Sequence, residues 1–281
     1  MAVGDKSAPT FRAVDGRAVP AVTADEMREV DRIAMEEMGL GVLQMMENAG
    51  RNLAGNVMEM FGGQRGVIAV LAGSGGNGGG GLCCARHLHN RGFPVRVLLS
   101  KAPEELRGAA ASQLRTLRAA GVEPIGPGQS CVDKGIQIDP GDRVDPGDRV
   151  DPGDYVDPNA REVIRRSGLV VDALVGYSLR GAPRGRVAQL IAQCNQENAR
   201  VLSLDLPSGL DATTGETPGG VVEPERTLTL ALPKTGLRNV PGELYLADIG
   251  IPPEVYESLG FSFEWPWRER YWVALEVESK A

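Results

Sequence analysis

Two apolar stripes at helical spacing open the chain. In "TADEMREVDRIAMEEMG" (residues 23–39), Met27, Val30, Ile33, Ala34 and Met38 recur at three- and four-residue intervals behind Thr23 and Glu26, which stand in capping-box spacing. "GVLQMMENAGRNLAGNVMEMF" (41–61) repeats the pattern with Leu43, Met46, Ala49, Leu53 and Val57. These methionines read as core or subunit interface rather than as a cofactor box. From residue 66 the period changes. "GVIAVLAG", "PVRVLLS", "LVVDALVG", "RVLSLDLPSG" and "RTLTLALP" are short apolar runs of the buried-strand kind. Helical segments separate several of them: "LCCARHLHNRG" (82–92), "PEELRGAAASQLRTLRAAG" (103–121) and "GRVAQLIAQCNQEN" (185–198). Strands that alternate with helices of this length predict an α/β fold. It is a three-layer, Rossmann-like domain with a mostly parallel central sheet and helices on both faces, its ligand lying beyond the carboxyl ends of the strands.

Outside that core the pattern weakens. Residues 1–20 are polar and punctuated by Pro and Gly, and predict a flexible arm ahead of a domain over 21–260. "DPGDRVDPGDRVDPGDYVDP" (139–158) repeats a six-residue unit inside a predicted loop over 133–159. A calcium-binding roll and an expanded surface loop are both open readings; the Pro in each unit favours the loop. The segment 261–281 holds Trp265, Trp267 and Trp272, and predicts packing on the domain or on a partner.

Composition narrows the function classes. The net charge of −7 opposes nucleic acid and anionic membrane as general partners. No stretch of about 18 apolar residues occurs and no signal-peptide pattern opens the chain, so a cytoplasmic protein is expected. Cys83, Cys84, Cys131 and Cys194 have neither CxxC spacing nor a disulfide framework. His87 and His89 read as surface or packing residues.

"GSGGNGGGG" (73–81) follows a strand and precedes a helix, which rules against a disordered linker and allows a backbone cradle for phosphate at the helix start. It lacks the Lys and Ser/Thr of a P-loop, so glycine spacing alone implies only a nucleotide or phosphate. Three further stretches add to it: "MMENAG" (45–50), "VDALVGYSLRGAPRG" (171–185) and "LDLPSGLDATTG" (204–215). In this order and spacing, and with "TLTLALPKTGL" and "ELYLADIGIPPEVYESLG" behind them, the chain resembles the YjeF N-terminal family. Its members are NAD(P)H-hydrate epimerases, relatives of the apolipoprotein A-I binding protein.

The resemblance implies an isomerase that interconverts the R and S forms of hydrated NADH and NADPH (NADHX and NADPHX). A separate ADP- or ATP-dependent dehydratase would consume one epimer, this chain being the stand-alone epimerase and a homodimer. It implies substrate contacts from Gly76, Asn77, Gly78, Gly79 and Gly80, and from the loop Gly176, Tyr177, Ser178, Leu179, Arg180, Gly181 and Ala182. Asp205 stands for the carboxylate beside the nicotinamide and is the candidate catalytic proton carrier; by spacing alone it reads equally well as a turn cap. Asn77, Asp172 and Ser208 stand for the ligands of one potassium ion per subunit, a donor set of oxygens that suits a weakly demanding cation.

One departure stands out. Gly80 occupies the place of the family's loop Asp, and no acid lies between Glu59 and Glu104 to replace it. A catalytically silent dinucleotide-binding or scaffold module is therefore the alternative to an active epimerase. A conventional NAD oxidoreductase is disfavoured, because no clear ribose-binding acid follows the glycine run.

Overall fold

The structure, a computed structural model, describes residues 11–129 and 157–277. Its strands are β1 (Phe11–Ala13), β2 (Ala18–Val19), β3 (Ile68–Ala72), β4 (Val95–Leu99), β5 (Leu169–Ala173), β6 (Val201–Leu204), β7 (Arg226–Leu230), β8 (Glu243–Ala247) and β9 (Trp272–Val277). They form one nine-stranded sheet in the order β2-β1-β9-β8-β7-β6-β5-β3-β4. Strands β4 through β8 in that order pair in parallel, and β9, β1 and β2 extend the sheet antiparallel. The helices are α1 (Ala24–Arg32), α2 (Val42–Phe61), α3 (Gly76–His89), α4 (Gly108–Ala119), α5 (Pro158–Arg165), α6 (Gly185–Gln196) and α7 (Pro253–Ser258). The expected three-layer α/β architecture is present, with the parallel strands buried on both faces.

Pleat alternation divides the core. Ile68, Val70 and Ala72 of β3 face the side covered by α2, α3 and α4, where Leu53, Leu82 and Leu114 pack. Ala69 and Leu71 face the other side, against Ile164 of α5 and Leu190 and Ile191 of α6. A third cluster, under α1 and α7, takes in Phe11, Val30, Tyr256 and Trp267.

The Thr23–Glu26 capping box starts α1, and the helix then widens into a π-helical turn over Ile33–Glu37. Met38 and Leu43, expected in the apolar stripes, are exposed, because that turn and Gly39 rotate the chain away from the core between the two helices.

Four other expectations about element bounds are corrected, and the tail is seen packed on the domain. The helix predicted from Leu82 begins at Gly76, so residues 76 to 81 are its first turns rather than a loop. Residues 11–20 of the expected arm contain β1 and β2, since Phe11–Ala13 finds backbone partners on β9. The tail supplies β9 to the same sheet, and its Trp267 is buried with the indole N–H donating to Leu246 O at 3.0 Å. The helix expected over 103–121 is a short 3-10 turn, Pro103–Glu105, followed by α4, broken where Gly108 takes a φ of +55°. Of the expected loop 133–159, residues through 156 lie outside the described residues. Asp157 instead caps α5, its carboxylate accepting from Asn159 N at 3.0 Å and Ala160 N at 3.2 Å.

Candidate active site

Four consecutive parallel strands end at one edge, and each delivers a polar side chain there. Beyond β3, Asn77 sits in the first turn of α3; beyond β5 comes Tyr177; beyond β6, Asp205; beyond β7, Lys234. The isolated bridge between Val22 and Lys234, with Thr235 N donating to Val22 O at 2.9 Å, ties the β7 extension to the start of α1. Helix α1 in turn brings Asp31 to the same place. These residues line a cavity of about 340 Å³ whose other walls are largely apolar, with Met27, Met45, Met46, Leu204, Leu230 and Ile249 among them. Size and lining are those of a small-molecule pocket.

Asp205 is the best-held group in the cavity. Its backbone takes the left-handed conformation, φ +68°, which non-glycine residues seldom adopt. That turn directs the carboxylate at Lys234, with which it forms a buried ion pair; Lys234 is 1% exposed. Lys234 Nζ also donates to Leu230 O at 2.8 Å, and Asp205 Oδ2 accepts from Tyr177 N at 3.3 Å. On the opposite wall, the Tyr177 hydroxyl donates to Asp31. Burial raises the Asp31 carboxyl above its ordinary range, and the hydrogen bond from Tyr177 partly offsets this. The Tyr177 hydroxyl is itself raised by burial and by the Asp31 charge, so it stays protonated as a donor.

The expected substrate contacts divide. Gly76, Asn77, Gly80, Gly176, Tyr177, Ser178 and Asp205 line the cavity. Gly78 and Gly79 do not: a Cβ on Gly78 would stand 1.8 Å from Gly73 O, and one on Gly79 2.6 Å from Met46 Cε. Both sit in close packing within the first turns of α3. Leu179, Arg180, Gly181 and Ala182 continue the loop beyond the cavity's described wall. At Gly80, a Cβ would lie 2.7 Å from Leu204 Cδ2, so Leu204 occupies the space an acid there would need. Sequence reasoning missed Asp31 and Lys234. Asp31 lies on the polar side of its stripe and reads as solvated; Lys234, in "ALPKTGL", carried a signal in the placing of one lysine beside a buried apolar run.

Of the expected cation ligands, Asp172 and Ser208 are in contact, and Asn77 lies beside Gly176. Asp172 is fully buried on β5. It accepts from Ser208 N at 2.8 Å, Ser208 Oγ at 2.6 Å, Ser203 Oγ at 2.9 Å and Leu174 N at 3.3 Å. Ser208 Oγ also accepts from Val175 N at 2.9 Å, and the position a Gly176 Cβ would take is 3.2 Å from Asn77 Oδ1. Asn77 and Ser208 thus flank the Val175–Gly176 peptide. Burial raises the Asp172 carboxyl, and no cationic side chain pairs with it among the described residues. The Asn77 amide nitrogen is buried without a hydrogen-bond partner. An uncompensated buried carboxylate among neutral oxygens fits a monovalent cation. Glu47, Cys83 and His87 also have ligand atoms within 4.8 Å of one another. There Glu47 is ion-paired with Arg86 and accepts from His87 Nε2 at 2.7 Å, and burial pushes the Cys83 thiol up to about 12. The cluster is a polar tie between α2 and α3.

The fold and cavity define a Rossmann-like α/β protein with a small-molecule site at the carboxyl edge of its sheet. The chain matches the family described as YjeF-related protein N-terminus over residues 42–236, and it belongs to that family. It is 44% identical over 277 residues to an NAD(P)H-hydrate epimerase of Dehalogenimonas lykanthroporepellens, covering 96% of this chain and 98% of that one. It is 33% identical to an NAD(P)H-hydrate epimerase of Rhodopirellula baltica, with 84% of this chain and 87% of that one covered. A bifunctional NAD(P)H-hydrate repair enzyme of Moorella thermoacetica is 34% identical over 86% of this chain, which spans 42% of its length. Among solved structures, yeast ynu0 (YNL200c) superposes with a TM-score of 0.69 at 22% identity, over 86% of this chain and 94% of that one, and shares the fold.

Proposed function

We infer that the protein is an NAD(P)H-hydrate epimerase, an isomerase acting on the R and S forms of NADHX and NADPHX. The observation that carries this reading is the buried Asp205–Lys234 pair at the carboxyl edge of the sheet, in a chain nearly half identical over its length to proteins of that name. Epimerisation at a hydrated ring carbon needs a base, an acid and no net redox change. Asp205 takes the proton of the carbon's hydroxyl as the ring carbon–nitrogen bond breaks. The bond's electron pair goes to the ring nitrogen, which accepts a proton, and the carbon becomes an aldehyde. Rotation of that aldehyde and reclosure, with both protons returned, gives the other epimer. The contact with Lys234 orients the Asp205 carboxyl group for the first transfer. The apolar walls limit water's access to the open form.

Asn77, Asp172 and Ser208 would hold a potassium ion, whose positive charge would compensate Asp172 and fix the Val175–Gly176 peptide behind the cavity. The reading also includes a homodimer, for which exposed Met35, Met38, Val42 and Leu43 offer apolar surface. It includes a separate dehydratase as pathway partner and a reducing cytoplasm, consistent with free Cys83, Cys84 and Cys194. No described helix is long and apolar enough to cross a membrane. The test supplies purified protein with both epimers and a dehydratase that consumes one. The unreactive epimer should disappear faster than it does spontaneously, and Asp205→Asn should cut that acceleration by about 10²-fold or more. Disappearance at the spontaneous rate with the unaltered protein would instead identify a silent dinucleotide-binding module.

A further inference from the structure

A second cavity, of about 450 Å³, opens on the other side of the wall formed by Gly76, Asn77, Gly176 and Ser178, and those four residues line both. The two differ in charge. The first contains Asp31 and Asp205 beside one lysine; the second is lined by Lys101, Arg184 and Arg186 and by no acidic residue.

Three features show that the second cavity is built for an anion. Lys101, just after β4, and Arg184, just before α6, are exposed and form no ion pair among the described residues. The Arg186 side chain is only 9% exposed and is fixed at two points, with Nε donating to Leu99 O at 2.9 Å and Nη1 paired with Asp157. Its remaining nitrogen, Nη2, is buried with no partner among the described residues, a costly omission unless a ligand supplies an acceptor. Finally, α3 and α6 both begin at this cavity, through Gly75–Gly76 and Arg184–Gly185, and neither start has a side-chain cap. Their free backbone N–H groups and positive dipole ends therefore face the same space.

We propose that this cavity is the diphosphate subsite of the dinucleotide, with Lys101, Arg184 and the free Nη2 of Arg186 as its side-chain donors. This rests on the reading that the substrate is a hydrated nicotinamide dinucleotide. The substrate then straddles the shared wall, its nicotinamide end beside Asp205 and its diphosphate beyond Asn77 and Ser178. Binding energy is drawn from phosphate oxygens away from the reacting ring, where charge-assisted contacts to Lys and Arg are strong. The arrangement also explains why the glycine run needs no lysine. Cations arrive from the ends of β4 and the start of α6 instead.

The test uses ADP-ribose, which carries the diphosphate without nicotinamide, and its 2′-phosphorylated form, titrated calorimetrically against the whole protein. The unaltered protein should bind both. The double variant Lys101→Gln/Arg184→Gln, altered at exposed positions, should weaken both by about tenfold or more, the effect of roughly 1.4 kcal/mol of lost contact. No binding of ADP-ribose, or equal affinity of variant and unaltered protein, would overturn the proposal. So would a loss confined to the 2′-phosphorylated ligand, which would assign the cations to the 2′-phosphate. Because the titration involves no turnover, a protein that binds ADP-ribose as described but fails to epimerise would refute the activity and leave the subsite standing.

Discussion

Three aspartates near one sheet edge sit in three electrostatic states. Asp205 has a lysine against it; Asp31 shares a tyrosine hydroxyl; Asp172 has only neutral donors. Four hydrogen bonds soften the cost of burying Asp172 but supply no opposite charge, and burial still raises its carboxyl. A bound monovalent cation would supply that charge. A ligand that binds only the folded state stabilises it by RT ln(1 + [L]/Kd), about 1.4 kcal/mol at ten times Kd. Replacing sodium by potassium should therefore raise the melting temperature by a few degrees, roughly 2–4 °C per kcal/mol for a chain of this size. Asp172→Asn, which keeps the shape and removes the charge, should abolish the difference. Equal melting in the two salts would remove the cation from Asn77, Asp172 and Ser208.

At the scale of elements, the glycine run is best understood as a packing surface. Helix α3 lies wedged between the sheet and α2. A Cβ on Gly81 would stand 2.6 Å from Ala173 Cβ and 3.3 Å from Val70 Cγ1, and one on Gly50 of α2 would stand 2.5 Å from Cys83. Gly76, by contrast, has open space where its Cβ would be. Helix propensity alone favours Ala at both positions by about 1 kcal/mol. Packing reverses the sign at one of them: Gly81→Ala should lose about 1–2 kcal/mol net, overpacking outweighing propensity, while Gly76→Ala should be neutral or slightly stabilising. Urea midpoints measure both, and stabilisation by both variants would mean that α3 has room to move off the sheet. The same geometry explains what the sequence concealed. Buried runs such as "GVIAVLAG" and "LVVDALVG" were legible because strands covered on both faces are apolar throughout. The start of α3 was not, since glycines chosen for close approach look like a loop. Strand β1 is too short to show a pattern, and β8 (ELYLA) and β9 (WVALEV) mix charged with apolar positions instead of running apolar throughout. Asp172 and Asp205 were legible from strand ends, whereas Asp31 and Lys234 meet only through the bridge from Val22 to Lys234, a contact of over 200 residues' separation that no local period encodes.

The whole molecule is one sheet with two kinds of work. Its parallel strands place ligand groups at their carboxyl ends, and its antiparallel strands, drawn from the two ends of the described chain, close the far side. Strand β9 lies between β8 and β1 and so joins residues near 11 to residues near 277. The segment before it is held by Trp267, 2% exposed, whose ring meets Trp265 edge-on with centroids 4.6 Å apart. The position a Gly55 Cβ would take is 2.6 Å from the Trp272 ring, so β9 presses on α2, the helix whose Met45, Met46 and Ala49 wall the cavity. The tail is thus structurally continuous with the site without touching its polar groups. Truncating Trp267 would leave a large hole in the third core cluster and remove the indole N–H bond to Leu246 O. Deletions of buried Trp cost about 3–5 kcal/mol. Trp267→Ala should therefore lower the melting temperature by on the order of 10 °C, at 2–4 °C per kcal/mol. A drop of only a degree or two would make the tail an appendage, and its contact with α2 would then have no part in holding the cavity's shape.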